Sequence, residues 1–236
     1  LIAAVARAPR LLVASDFDGT IAEITDDPDL SVPLARSKAA LEDLASLEGT
    51  TVAVISGRRR SDLLKRFPHP DMVLIGEHGA DDGSPVRPET PALARARGLV
   101  DAAVSATPGS RVEHKKRSVG FHYRAVADPE PVVESLRLQA AGIEGIRVLE
   151  AKKIIELTDS PIDKGDALRD LRRSLAVDRV LFMGDDVTDE TAFALLEPGD
   201  VGVHVGVGPT RAGLTVPTPT DLADLLEALV QLRRGR

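Results

Sequence analysis

Asp16 and Asp18 stand two residues apart at the end of the apolar run Leu11-Leu12-Val13-Ala14-Ser15, and Gly19-Thr20 follows directly. A second acidic knot, Gly184-Asp185-Asp186-Val187-Thr188-Asp189-Glu190, follows the apolar run Val180-Leu181-Phe182-Met183. Carboxylates this dense repel and raise one another's pKa unless a cation lies among them. A hard divalent ion with oxygen ligands, Mg2+ in the first place, suits such a set and the handling of phosphate. Gly19 permits a sharp exit from the strand, so backbone amides can approach an anion. Ser56 ends the β-branched run 51–55, and Lys164 opens a helical pattern after Asp163. A serine there ordinarily caps the following helix, whose N-terminus is itself an anion site. A lysine at a helix start is slightly disfavoured by the helix dipole, which hints at use. Asp189, in a helix's first turn, is favourable for dipole reasons alone.

The elements that must position these residues alternate. Residues 11–15, 51–55 and 72–75 read as short buried strands, and 33–47 and 58–67 as helices, with Pro68 and Pro70 ending the second. The same rhythm resumes with a helix over 163–175, a strand over 179–183, a helix over 188–196, a strand over 201–205 and a closing amphipathic helix over 221–233. This predicts an α/β fold, a doubly wound and mostly parallel sheet with right-handed crossovers. In such sheets the binding crevice lies at the carboxyl ends of the strands. Asp16, Ser56 and Asp185 each fall just after a core strand, so three distant segments can form one site.

Between these halves the rhythm changes. A helix over 91–106, strands over 111–116 and 118–126, a helix over 131–141 and a strand pair over 146–150 and 153–158 read as an inserted α+β cap domain. The expected organisation is a discontinuous core, 1–81 and 160–236, with the cap at 82–159 and hinges near 81–84 and 159–162. An insert of roughly 80 residues is an ordinary size for a small domain.

Composition narrows the partners. The chain of 236 residues is 43% hydrophobic and 28% charged, as expected of a globular protein. A net charge of −7 argues against nucleic acid or an anionic membrane surface as partner. Cysteine is absent, which excludes disulfides and thiol catalysis and fits a cytoplasmic setting. No apolar stretch is long enough to span a membrane, and no secretory leader is visible. The first residue is Leu1 rather than Met, which fits a piece of a longer protein. The absence of Trp and 3% aromatics argue against stacking platforms for bases or sugars. The expected state is a monomer or weak oligomer.

The run Asp16-Phe17-Asp18-Gly19-Thr20 resembles the DxDGT motif of the haloacid-dehalogenase superfamily of phosphatases. The resemblance implies that Asp16 is the nucleophile that forms an aspartyl-phosphate and that Asp18 is the acid, then the base. Ser56 in Val54-Ile55-Ser56-Gly57-Arg58 matches the second motif, a hydroxyl that binds the transferring phosphoryl. Lys164 matches the third, and Asp185, Asp186 and Asp189 match the fourth, GDDxTDE. By the same resemblance Asp16, the backbone carbonyl of Asp18, and Asp185 bind Mg2+, with Asp186 a further ligand; Asp186 and Asp189 are otherwise open as ligands, partners of water or of the lysine, or helix caps.

Several segments narrow the branch. Gly76-Glu77-His78-Gly79-Ala80, Val112-Glu113-His114-Lys115 with Phe121-His122-Tyr123-Arg124, and Ile154-Ile155-Glu156-Leu157 together resemble the trehalose-6-phosphate phosphatase family, over about residues 11–229. The implied activity is Mg2+-dependent hydrolysis of trehalose 6-phosphate. Gly57, Arg58, Glu77, His78, Glu113, Lys115, His122, Arg124, Lys152 and Glu156 become the expected substrate contacts. Charged and bidentate groups read sugar hydroxyls well, although alternating charge is also what the open face of an antiparallel sheet shows. The family pattern has Gly where this chain has Ala151. The alternatives are a phosphatase for sucrose phosphate, mannosyl-phosphoglycerate or a hexose phosphate, a phosphomannomutase, a receiver-like signalling domain, and a silent regulatory copy. The insert and the DxDGT spacing disfavour a receiver, and four intact motifs disfavour a silent copy.

Overall fold

A computed structural model describes residues 1–25, 30–85, 88–151 and 153–235. In chain order the elements are α1 (Ile2–Val5), β1 (Leu11–Ser15), α2 (Ala35–Ala45), β2 (Thr50–Ile55), α3 (Arg60–Arg66), β3 (Met72–Ile75) and a 3-10 turn at Glu77–Gly79. Next come α4 (Pro91–Ala106), β4 (Arg111–His114), β5 (Ser118–His122), α5 (Glu130–Ala141), β6 (Arg147–Ala151) and β7 (Ile154–Thr158). The chain closes with α6 (Lys164–Leu175), β8 (Arg179–Gly184), a 3-10 turn at Val187–Asp189, α7 (Glu190–Phe193), β9 (Val201–Val205), β10 (Leu214–Val216) and α8 (Pro219–Arg234). Two compact units result, Leu1–Asp82 with Ile162–Arg236, and Gly83–Pro161.

The first unit carries a six-stranded sheet in the order β10-β9-β8-β1-β2-β3, with every neighbouring pair parallel. All five residues of β1 are buried, because this central strand is covered on both faces; that is why it reads as an unbroken apolar run. Successive side chains alternate faces. Leu11 and Val13 join Leu41 and Leu44 of α2 and Leu226 and Leu229 of α8. Leu12 and Ala14 join Ala167 and Leu168 of α6 and Phe193 of α7. The sheet is therefore doubly wound, as the alternating pattern predicted. In register, Ser15 pairs with Val54 of β2 and with Met183 of β8, so three strands end nearly level. At the other end of the strands Arg233, buried in the last turn of α8, donates to the carbonyls of Ala6, Ala8 and Gly49 and to Thr50 Oγ1.

The second unit is an antiparallel sheet in the order β4-β5-β7-β6. Val119, Phe121, Ile155 and Leu157 form a core with Ala96 and Val100 of α4 and Val133 and Leu136 of α5. Alternation turns Ser118, Gly120 and Glu156 to the opposite face. Thr90 caps α4 by accepting from Leu93 N at 3.1 Å, with Pro91 following in the first turn.

One expected helix needs correction. The helix read over 188–196 is broken into a 3-10 turn and the four residues of α7, because Asp186 and Asp189 bond to local backbone amides instead of letting the helix start cleanly. The three-residue edge strand β10 and the short α1 carry too few residues for a periodicity to be read. No helix among the described residues is long and apolar enough to cross a membrane.

Candidate active site

The ladder between β1 and β8 continues one step past the strand, with Asp16 N donating to Met183 O at 2.8 Å. That bond fixes Asp16 at the carboxyl end of the sheet, where its side chain is almost fully buried. The chain then turns at Gly19, whose φ of 80° lies in the left-handed region. A Cβ there would fall 2.0 Å from Asp185 Oδ2, so glycine is what lets the first loop touch the fourth-motif loop. Gly184 plays the same part beneath Asp189, where a Cβ would lie 2.3 Å from Cγ.

Lys164 is placed by the start of α6. Asp163 caps that helix, and Asp166 returns the bond in a reciprocal capping box. The Lys164 ammonium is 2% exposed and lies 3.0 Å from Asp16 Oδ1 and 2.8 Å from Asp189 Oδ1. Asp189 is fully buried, and its Oδ2 accepts from both Asp185 N and Asp186 N at 3.0 Å. Asp189 thus holds the lysine with one oxygen and the acidic loop with the other.

Carboxylate oxygens of Asp16, Asp185 and Asp189 all lie within 4.8 Å of one another. Burial pushes the Asp16 carboxyl well above the usual carboxylate range. Lys164 pulls it back, while Asp189, Asp185 and Asp18 push it up again. Burial works against the Lys164 ammonium, but Asp16 and Asp189 hold its pKa above the usual lysine range. Three carboxylates against one ammonium leave two negative charges, which a divalent cation would balance. The donors are hard oxygens, so the set fits Mg2+-type chemistry.

The cluster differs from the expected one in its membership. Asp189 is in it. Asp186 is not: its Oδ1 accepts from Val187 N at 2.7 Å and caps the 3-10 turn. The Asp18 carboxylate also turns elsewhere. Its two oxygens take a bidentate bond from Arg58, Nε to Oδ2 at 2.7 Å and Nη2 to Oδ1 at 2.6 Å, and Ser31 Oγ donates to Oδ1 at 3.1 Å.

Ser56 extends β2 as Asp16 extends β1, donating its N–H to Ile75 O at 3.0 Å. Its Oγ is buried and accepts from Arg58 N at 3.3 Å. The turn carrying Glu77 and His78 is tied to the same loop, with Glu77 N donating to Arg58 O and His78 N to Ser56 O. Both residues have positive φ, 51° and 56°, an uncommon conformation away from glycine. The His78 ring lies over Gly57, where a Cβ would come within 2.6 Å of Nε2. Asp16, Asp18, Ser56, Gly57, Arg58, Glu77, His78, Lys164 and Asp185 are thus gathered by the ends of β1, β2, β3 and β8 and the start of α6.

The remaining expected contacts lie in the second unit. Lys115 Nζ donates to Glu156 Oε2 at 2.5 Å, and both side chains are 4% exposed. Ser118 Oγ donates to Glu156 Oε1 at 2.6 Å. Glu113 Oε2 lies 3.8 Å from Lys115 Nζ and 3.0 Å from His122 Nε2. Glu113, Lys115, His122 and Glu156 therefore form one cluster, while Arg124 is half-buried two residues beyond the end of β5. Lys152 lies outside the described residues.

Sequence reasoning did not single out Ser31, Asp62 or Arg66, which surround Arg58 and Asp18. The spacing Asp62-x-x-x-Arg66 carried the signal, since residues four apart share a face of α3, which Arg58 precedes by two residues.

Residues 14–216 match the sequence model of the trehalose-phosphatase family. The chain is 37% identical to a trehalose-phosphate phosphatase of Mycobacterium avium, over 93% of this chain and 62% of that protein. With a trehalose-phosphate phosphatase of Mycobacterium marinum the identity is 35%, over 92% and 60%. The chain thus spans about three fifths of the length of these curated relatives. Its fold is like that of the C-terminal domain of a C. albicans trehalose-6-phosphate phosphatase, with a TM-score of 0.85, 24% identity and coverage of 98% and 95% of the two chains.

Proposed function

The chain belongs to the trehalose-phosphatase family, and on that premise we propose that it hydrolyses trehalose 6-phosphate to trehalose and inorganic phosphate with Mg2+ as cofactor. The observation that carries this reading is the buried Asp16 carboxylate, held beside Lys164 and within 4.8 Å of a second and third carboxylate at the end of a central strand. A carboxylate is a weak nucleophile and needs an aligned phosphate whose charge is already offset.

Asp16 and Asp185, with the backbone carbonyl of Asp18, would hold the ion. Bound there, it would neutralise phosphate charge as the phosphoryl group transfers. Asp189, already engaged with Lys164 and two amides, serves as the brace of the site. In the first half-reaction an Asp16 oxygen attacks phosphorus and the bond to the sugar O6 breaks. Asp18 gives its proton to that departing oxygen, and trehalose leaves. In the second, Asp18 takes a proton from water, the water oxygen attacks phosphorus, and the aspartyl ester bond breaks to release phosphate and restore Asp16. Ser56 and Lys164 steady the phosphoryl oxygens through both steps.

The inserted unit is assigned the sugar. Glu113, Lys115, His122 and Glu156 offer acceptors and donors suited to hydroxyl groups, and Arg124 and Lys152 are assigned the same task. The test is phosphate release from trehalose 6-phosphate beside sucrose 6-phosphate and glucose 6-phosphate, with and without EDTA. Trehalose 6-phosphate is expected to be the best substrate by kcat/KM, and EDTA to stop release. Preference for another ester would reassign the substrate, and release undiminished by EDTA would remove the metal.

A further inference from the structure

We propose that Asp62, Arg66 and Ser31 are positioning residues that, acting directly and through Arg58, fix the Asp18 carboxylate for proton transfer. The inference rests on the reading of Asp18 as the proton-transfer group. Its basis is a closed circuit of contacts. Arg58 holds Asp18 by two nitrogens and gives the third, Nη1, to Asp62 Oδ2 at 3.0 Å. The other oxygen of Asp62 is taken by Arg66 Nη1. Arg66 Nε donates to Ser31 O at 2.9 Å, and Ser31 Oγ returns to Asp18 Oδ1 at 3.1 Å. Five residues thus close a ring in which two carboxylates face two guanidinium groups.

The surroundings stiffen the ring. Arg58 sits with its guanidinium carbon 4.8 Å from the centroid of Phe17, and Arg66 sits 5.6 Å from the same ring. Phe17, the residue between Asp16 and Asp18, is fully buried and meets Phe67 edge to face. The two guanidinium groups therefore stack on the segment that carries both aspartates. Asp18 itself has a side chain 42% exposed, against 9% for Arg58. An isolated pair of that exposure would order it little. A bidentate arginine locked from behind gives a short, directional hold, and with Ser31 also on Oδ1 it leaves one lone-pair direction, on Oδ2, for the proton. A proton must pass between Asp18 and the leaving oxygen at hydrogen-bond range, and misplacement by an ångström costs about 100-fold. Asp62 and Arg66 are given no contact with substrate in this scheme, so their effect reaches the reaction only through the ring.

The experiment compares leaving groups. An alkyl ester such as trehalose 6-phosphate or glucose 6-phosphate needs a proton on its departing oxygen. The nitrophenolate of p-nitrophenyl phosphate leaves without one. The ratio is read in kcat/KM, which reports only steps up to departure of the alcohol. In Asp62→Asn and Arg66→Met, kcat/KM is expected to fall about 10- to 100-fold on the alkyl esters and less than about threefold on the aryl ester. Arg66→Lys, which keeps the charge, is expected to recover part of the loss. Circular dichroism checks the fold of each variant, and where Asp62→Asn fails to fold the Arg66 pair decides. Equal losses on both ester classes, or no loss on either, overturn the ring while leaving the phosphatase reading intact. Wild-type turnover of glucose 6-phosphate and the aryl ester but not trehalose 6-phosphate overturns the substrate reading alone, and the ratio is then taken on the glucose ester. Absence of phosphate release from every ester by the wild type overturns both.

Discussion

Two of the charged clusters among the described residues are built to opposite rules. At the ends of β1 and β8 three carboxylates share one lysine, and negative charge is left over. On the antiparallel sheet Lys115 is matched by Glu156 at 2.5 Å, Ser118 takes the other oxygen of Glu156, and Glu113 is shared with His122. A site with surplus charge in low dielectric is incomplete without a counter-ion. A cluster whose carboxylates each share hydrogen bonds with neighbouring side chains presents dipoles and exchangeable hydrogen bonds, which suit neutral hydroxyls better than phosphate. On the proposed reading, chemistry falls to the parallel sheet and discrimination among sugars to the inserted one.

That division predicts which substitutions act on every ester and which on one. Asp16→Asn is expected to lower phosphate release from all esters by at least about 1,000-fold with the fold retained. Full activity in a variant verified by mass spectrometry would remove Asp16 as nucleophile. Lys164→Met should cost about 100-fold or more in kcat, again on every ester. Glu156→Gln is expected to raise KM for trehalose 6-phosphate about tenfold or more, since it weakens a charged hydrogen-bond pair. The aryl ester should be untouched by it, and equal loss on both substrates would erase the division.

The smallest effect is on stability against pH. Burial and its acidic neighbours raise the Asp16 pKa, so the folded, metal-free chain keeps that proton to higher pH than the unfolded chain does. The Asp16 contribution is therefore most favourable at low pH and falls as pH climbs from the ordinary aspartate value to the raised one. Thermal midpoints in EDTA at about pH 5 and about pH 8 should show this slope in the wild type and lose it in Asp16→Asn. Added Mg2+ should stabilise the wild type more at the higher pH. An identical slope in the two proteins would mean that the carboxylate surplus is not felt at Asp16.

Much of the parallel unit was legible in the sequence, for a physical reason. Strands buried on both faces give unbroken apolar runs such as Leu11–Ser15, and the polar residue that ends each run marks the mouth of the sheet. Asp16, Ser56 and Asp185 were read that way. Asp189 stayed open between ligand, partner of the lysine and helix cap, because an acidic residue in a first helical turn already has a sufficient local reason to be there. The left-handed turn at Glu77 and His78 went unread because glutamate does not advertise positive φ and the enrichment of histidine there is too small to mark a turn. The ring around Arg58 was spelled out at a spacing of four, but that spacing is common on exposed helices and points to catalysis only once Asp18 is seen at its end.

Far from the acidic residues, Arg233 joins the end of the chain to its beginning. Its guanidinium is the shared donor for four carbonyls, those of Ala6, Ala8, Glu48 and Gly49, and for the Thr50 hydroxyl, all at the entry of β1 and β2. Trimming the polypeptide before this position would strip five acceptors of one partner at a stroke, while leaving the strand ends that carry Asp16 and Ser56 untouched. Such a shortened protein should tolerate heat poorly yet work normally when cool, with failure starting at the closed end of the sheet.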